Sequence, residues 1–397
     1  MTMSLSRRSL LAAIPLGAGL TGPALAADEP LKLLIRNRYN RLLTPVWINA
    51  KGPIDFGIDT GAAIYTIDQS VATQMKLPLS SKVAIRGIVD PAHLVNPALQ
   101  QVTAREVLIG GAFRDSNVDL ALVGFGGDSV SGFVPGTMFV FAPTLLDFPG
   151  ERATIYTSGR PDLAGFSSTR LFIITREGAG TTRTIRDPHL PIDVQLDSQT
   201  YRMVLDTGFP GLISLSPETV RDRGLWASTP AGIPQGGGGL TGGFNGKMVR
   251  MKALAVAGHT LERPTVELID PASSHSSRDG TDGLIGMEFL RRFDIAIDAN
   301  AGSIAFRPNG AFRQAIRYNR SGMDIGSAGM VRHLLPGGPA ERAGLAVGDR
   351  IRLPSPGPDA ARAFRWSLQD APGTVIEFEA ARSGARRAVR LVLEDVL

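Results

Sequence analysis

Two short segments of the chain carry residue types that could do chemistry. Ile54-Asp55-Phe56-Gly57-Ile58-Asp59-Thr60-Gly61 has a counterpart in Tyr201-Arg202-Met203-Val204-Leu205-Asp206-Thr207-Gly208. In each, an apolar run delivers an aspartate into a Thr-Gly turn. Taken alone, such a triplet is ordinarily a turn in which Asp caps and Gly takes a left-handed conformation. Two of them on duplicated units can bring two carboxylates to a shared midline. Like charges that close cannot both ionise, so one proton is shared across the pair. The ionised member can take a proton from water while the protonated member donates to a carbonyl oxygen. Water then attacks an amide without a covalent intermediate. Asp59 and Asp206 are the candidate catalytic pair. Thr60 and Thr207 are expected to hydrogen-bond across the interface, and Gly61 and Gly208 to let the backbone approach the carboxylates.

The elements that position these residues repeat in the same order. After each triplet comes a short apolar run and then a predicted helix. The first is capped by Asp68 and runs to about Lys76; the second is capped by Ser216, with Pro217 in its first turn, and ends before Gly224. Ser131-Gly132-Phe133-Val134-Pro135-Gly136 then leads to Leu146-Asp147-Phe148 and Ala153-Thr154-Ile155-Tyr156. In the second half, Asp282-Gly283-Leu284-Ile285-Gly286 leads to Phe293-Asp294-Ile295 and Ser303-Ile304-Ala305-Phe306. One ordered series occurring twice is a duplication. Half-alternating runs at 46–48, 82–85 and 106–109, and at 194–196, 248–256 and 266–269, predict strands. With 46 Gly, 27 Pro and only 6% aromatics, the composition favours short strands and turns. Residues 158–165 read as a linker, and a second break falls near 308–320. Asp294 and Asp298 alternate with isoleucines and read as polar strand-end positions.

Ile58-Asp59-Thr60-Gly61-Ala62 resembles the active-site loop of retroviral-type aspartic proteases. Leu284-Ile285-Gly286 resembles the apolar-apolar-Gly element that such lobes place beneath that loop, and Phe133-Val134-Pro135-Gly136 is a looser version. The resemblance spans roughly residues 31–310. It implies a mainly β fold of two lobes, each a pepsin- or retropepsin-like closed barrel, at 31–158 and 166–310. A peptide or protein substrate would lie between the lobes under hairpin flaps at about 86–97 and 236–246, and its peptide bonds would be hydrolysed without a cofactor. Two departures stand out. Pepsin-type members follow the glycine with Ser or Thr, whereas this chain has Ala62 and Phe209. Losing both hydroxyls is expected to raise the apparent pKa of the pair. The Phe209-Pro210 pair has no counterpart in the first loop; it either narrows the cleft on one side or marks drift of the second site. The alternative is a catalytically inactive peptide-binding or scaffold protein that retains the cleft.

The C-terminal residues depart from the repeat. Leu335-Pro336-Gly337-Gly338-Pro339-Ala340-Glu341-Arg342-Ala343-Gly344-Leu345, followed by Val347-Gly348-Asp349-Arg350-Ile351, resembles the bacterial PDZ signature. It implies a small α/β PDZ-like domain at 321–397, with a helix at 360–368 and strands at 375–380 and 388–393. Such a module accepts a peptide C-terminus by strand addition. The expected carboxylate loop near Gly322-Met323-Asp324-Ile325 matches poorly, and Leu353-Pro354-Ser355-Pro356 replaces the usual Asn-Gly turn. A packed appendage that binds no peptide is therefore an equal reading.

At the other end, Ser6-Arg7-Arg8-Ser9-Leu10-Leu11, an apolar stretch to Leu20 and Ala24-Leu25-Ala26 have the order of an export leader over residues 1–26. The paired arginines resemble a twin-arginine signal, which implies a periplasmic or secreted protein beginning near Ala27. No later segment has the length of continuous apolar sequence a membrane span needs. A hydrophobic content of 43% with 20% charged residues describes a globular chain. The net charge of +5 is scattered, with no basic-aromatic stripe for nucleic acid. Zero cysteines exclude disulfides, thiolate metal sites and a Cys nucleophile. The 5 histidines lack metal-ligand spacing, so no metal is expected, and no nucleophile elbow or phosphate loop occurs.

Overall fold

The computed structural model describes residues 29–84, 98–124, 130–172, 175–177, 183–185, 189–229, 232–239, 242–273, 280–326, 329–353 and 359–397. The expected leader and the expected flap at 86–97 lie outside the described residues. In the first half, β-branched and aromatic alternation produces a ring of strands. Arg41–Ile48 pairs with Lys51–Asp59, which pairs with Gly132–Pro135, then Tyr65–Asp68, Phe113–Val123 and Ala98–Ile109. Val46 opposite Ile109 and Ile48 opposite Val107 close the ring into a barrel. Closure leaves no unpaired edge among these strands. Val46, Ile48, Phe56, Ile58, Ile67, Ile109 and Leu120 are fully buried in its core.

The second half repeats the ring with one difference. Pro191–Leu196, Gln199–Leu205, Gly283–Ile285, Ile213–Leu215 and Thr265–Ile269 follow the same order. The closing ribbon is kinked where Pro264 has no N–H to offer. Its ladder continues across the break through Met251 N–H to Pro264 O at 3.0 Å and Arg263 N–H to Lys252 O at 2.8 Å. Ala253–Val256 then pairs back onto Pro191–Leu196, with Gln195 opposite Ala255. Ile233–Gly239 forms a hairpin with Gly242–Arg250 and is one edge strand of this sheet.

The predicted helices form at their predicted caps. Gln69–Met75 starts at Asp68, whose Oδ1 accepts from Ser70 N–H at 2.9 Å, and stops at left-handed Lys76. Pro217–Asp222 starts at Ser216, whose Oγ accepts from Thr219 N–H at 3.2 Å. A six-stranded sheet joins the halves, in the order Leu31–Leu34, Arg152–Ile155, Thr144–Asp147, Phe293–Asp298, Ser303–Pro308, Ser167–Arg170. At its centre Leu145 faces Ala296. One apolar cluster runs unbroken from Leu33 to Phe306.

The C-terminal residues have a separate apolar core from Met323 to Leu393. Met323–Ile325 pairs with Val331–Leu334; Arg350–Arg352, Val375–Arg382 and Ala385–Val392 form a three-stranded sheet; Pro339–Arg342 and Ala360–Ser367 are helical. The turn before Arg350 is pinned by buried Asp349, which accepts from Arg382 Nε at 2.7 Å and Ala346 N–H at 3.0 Å. Among the described residues no helix is long and apolar enough to cross a membrane.

Candidate active site

Each candidate aspartate stands at the end of the inner strand of a hairpin, Asp59 as its last residue and Asp206 just beyond it. Lys51–Asp59 lies between Arg41–Ile48 and Gly132–Pro135, with Ile58 opposite Val134 and Asp59 opposite Pro135. Gln199–Leu205 lies between Pro191–Leu196 and Gly283–Ile285, with Leu205 opposite Ile285. Asp206 N–H continues that ladder by donating to Ile285 O at 2.8 Å. The two apolar segments noted in the sequence thus run beside the strands that deliver the carboxylates.

The two loops lock to each other through their threonines. Thr60 Oγ1 donates to Leu205 O at 2.7 Å and accepts from Thr207 N–H at 3.0 Å. Reciprocally, Thr207 Oγ1 donates to Ile58 O at 2.7 Å and accepts from Thr60 N–H at 3.1 Å. Both side chains are buried, so each bond replaces one that water cannot supply. Gly61 N–H donates to Asp59 Oδ1 at 2.8 Å, and Gly208 N–H to Asp206 Oδ1 at 2.7 Å. Only glycine fits at either place. A Cβ on Gly61 would sit 2.6 Å from Asp206 Oδ2, and one on Gly208 2.6 Å from Asp59 Cγ. Each carboxylate therefore rests against the opposite loop, and the two are within hydrogen-bonding reach of one another.

Burial pushes the Asp59 carboxyl above its ordinary range, against the pull of its hydrogen bonds to Asp206 and Gly61 and of the Arg41 charge. Asp206 is pushed well above by burial and then by the adjoining Asp59 charge, against the N–H groups of Gly208 and Phe209. Asp206 is the more enclosed of the two, while Asp59 keeps an accessible edge. Both carboxyls are raised, and two this close favour sharing one proton between them. The rise expected from the missing hydroxyls at Ala62 and Phe209 has the same direction; in the structure its leading cause is burial. Phe209 still serves Asp206, donating its N–H to Oδ1 at 3.2 Å. Its ring folds over its own loop, occupying the space above Gly211 and Gly286.

Sequence reasoning missed the residues that brace these loops from the opposite half. His189, buried, places Nε2 2.8 Å from Gly61 O; a carbonyl only accepts, so Nε2 carries a proton there. Asn40 donates through Nδ2 to Pro210 O at 3.1 Å and to Glu288 Oε2 at 2.7 Å. Burial alone would raise the Glu288 carboxyl, but Arg291 and Arg292, the latter bound at 2.6 Å, hold it below its ordinary value. A signal for His189 was present in the repeat. Leu43 faces Gly57 and Pro191 faces Val204, equivalent positions ahead of the two aspartates. Counting back along each strand puts a basic residue, Arg41 or His189, at the same place. Of the histidines considered as ligands, His93 and His275 lie outside the described residues.

Facing Asp-Thr-Gly loops on duplicated β units are the class of site that an aspartic protease requires. Residues 192–289, which carry the second loop, match a family model described as aspartyl protease. The fold is similar to that of an aspartic proteinase from Irpex lacteus, at 12% identity over 72% of this chain and 99% of that one, with a TM-score of 0.43. It is also similar to a retropepsin-like aspartic protease from Rickettsia conorii, at 19% identity over 36% of this chain and 93% of that one, with a TM-score of 0.23. No curated protein matches the sequence.

Proposed function

We propose that the protein is an exported aspartic-type endopeptidase whose two lobes present Asp59 and Asp206 to an extended peptide. The observation that supports this most is the reciprocal Thr60–Thr207 lock, which holds together the two loops that carry the carboxyls. Asp59, kept anionic by Gly61 N–H and the Arg41 charge, takes a proton from water. Asp206 donates its proton to the carbonyl oxygen of the scissile bond as the water adds. As the tetrahedral diol collapses, Asp59 passes its proton to the departing amine nitrogen and Asp206 takes a proton back from a diol hydroxyl; this resets the pair, and no covalent enzyme intermediate forms. The C-terminal unit, read as PDZ-like, positions the substrate or a partner.

The test is digestion of a peptide library by protein beginning at Ala27. Asp59→Asn and Asp206→Asn are each expected to abolish cleavage, because the shared proton needs both carboxyls. Full activity in either single variant would overturn the reading. Tight peptide binding with no cleavage by the unmutated protein would make it the inactive cleft-bearing scaffold instead.

A further inference from the structure

The strand Ile233–Gly239 is an edge strand and ends in four consecutive glycines, Gly236 to Gly239. Such a segment has no side chains of its own to hold it and loses the most backbone freedom when ordered. The outward-facing backbone groups of Gly236 are taken by the C-terminal unit. Gly236 N–H donates to Asp324 Oδ2 at 3.2 Å, and Gly236 O accepts from Arg332 Nη2 at 3.2 Å. Asp324 and Arg332 are themselves an ion pair at 2.9 Å, and His333 Nδ1 stands 3.1 Å from the same carboxylate. Two side chains from neighbouring strands thus stand where a paired strand would be, each satisfying one backbone group of the same glycine.

Further contacts of the attachment are ion pairs and one aromatic pair. Arg38 pairs with Asp359 at 2.5 Å, Arg250 with Asp395 at 3.4 Å, and the Tyr39 and Trp366 rings meet at 5.9 Å. The apolar cores on either side are separate. Contacts of this kind are individually weak and salt-screened, so a unit held by them can release without unfolding.

We propose that the C-terminal unit is a latch on this hairpin: Asp324 and Arg332 hold the outward-facing N–H and C=O of Gly236, and their release frees the glycine strand to move. The hairpin is the one that the protease resemblance expects to cover the cleft. Under that reading the latch makes access to the cleft depend on what the C-terminal unit is doing. The gripping contact itself does not depend on any activity.

Amide hydrogen exchange on the full chain tests it without substrate. Asp324→Asn and, separately, Arg332→Gln are expected to speed exchange across 233–239 and 242–246 by about tenfold, the effect of losing one charge-assisted hydrogen bond. Raising salt in the unmutated protein should do the same. Amides of the C-terminal core, such as those of Ile351, Phe378 and Leu391, serve as the fold control and should stay protected. Asp324→Asn also removes the partner of His333, so Arg332→Gln is the cleaner variant. Unchanged hairpin exchange in Arg332→Gln, with the core protected, would overturn the latch. Peptide cleavage by the same variants is a separate readout: loss of all activity in the unmutated protein would count against the peptidase and leave the latch standing.

Discussion

A serine at position 62 would place a hydroxyl beside Asp59, adding a side-chain donor to the backbone N–H groups of Gly61 and Ala62 that already act on its carboxylate. A hydroxyl that donates to the charged form favours it, so Ala62→Ser should lower the pKa at which Asp59 ionises. The acid limb of the kcat/KM profile should therefore move to lower pH, while the alkaline limb, set by the proton on Asp206, moves less. The sign follows from direction: Asp59 must be anionic to act, and its carboxyl is raised in the folded protein. A profile with both limbs unmoved would mean that burial, and not the missing hydroxyl, sets the whole rise.

Among the elements, the paired loops depend on two threonine hydroxyls. Thr207→Val deletes an acceptor for Thr60 N–H and a donor to Ile58 O, leaving two buried groups unpaired. The loss should be about 2–4 kcal/mol, seen as a fall in Tm, whereas Thr207→Ser should stay near the unmutated protein. Equal melting of the Val and Ser variants would show that the hydroxyl lock contributes nothing. How much of this was legible follows from sequence distance. Asp68 and Ser216 announce their helices because a cap acts within the first turn, and the duplicated triplets announce the site because they repeat. The central pairing of Leu145 with Ala296 was not legible, since nothing local to either strand encodes so distant a partner. Asn40 was missed for the same reason, since it acts on a backbone carbonyl of the other half, whereas the place of His189 in the repeat was legible and its contact with Gly61 O was not. Asp294, read as a polar strand end, is in fact buried and tied to Arg307 at 2.8 Å.

For the molecule as a whole, attachment of the C-terminal unit should depend on pH through Glu267. Burial and then the facing Asp324 charge push its carboxyl from 4.5 to about 8, against the pull of the Ser214 hydroxyl. Asp324 approaches from the C-terminal unit with Arg332 and His333 beside it, and Ser214 from the neighbouring strand of its own sheet. A raised acid holds a proton in the folded, docked state that it gives up when exposed. Its contribution is therefore full below about 4.5, falls as pH rises toward about 8, and is constant above. Each pH unit in that window removes on the order of 1 kcal/mol. Melting curves from pH 5 to 8 should thus slope less steeply in Glu267→Gln than in the unmutated protein. Parallel slopes would remove Glu267 from the account.

The sheet that joins the halves also sets an order on biosynthesis. Leu31–Leu34, Arg152–Ile155 and Thr144–Asp147 can assemble once the first half has left the ribosome, but Thr144–Asp147 then presents an unpaired edge. Its permanent neighbour, Phe293–Asp298, is not translated until nearly the whole second half has been made. For that interval the nascent chain carries an open strand edge of the kind that invites pairing with other chains. A chaperone that shields the emerging first half would guard that edge until its partner strand arrives.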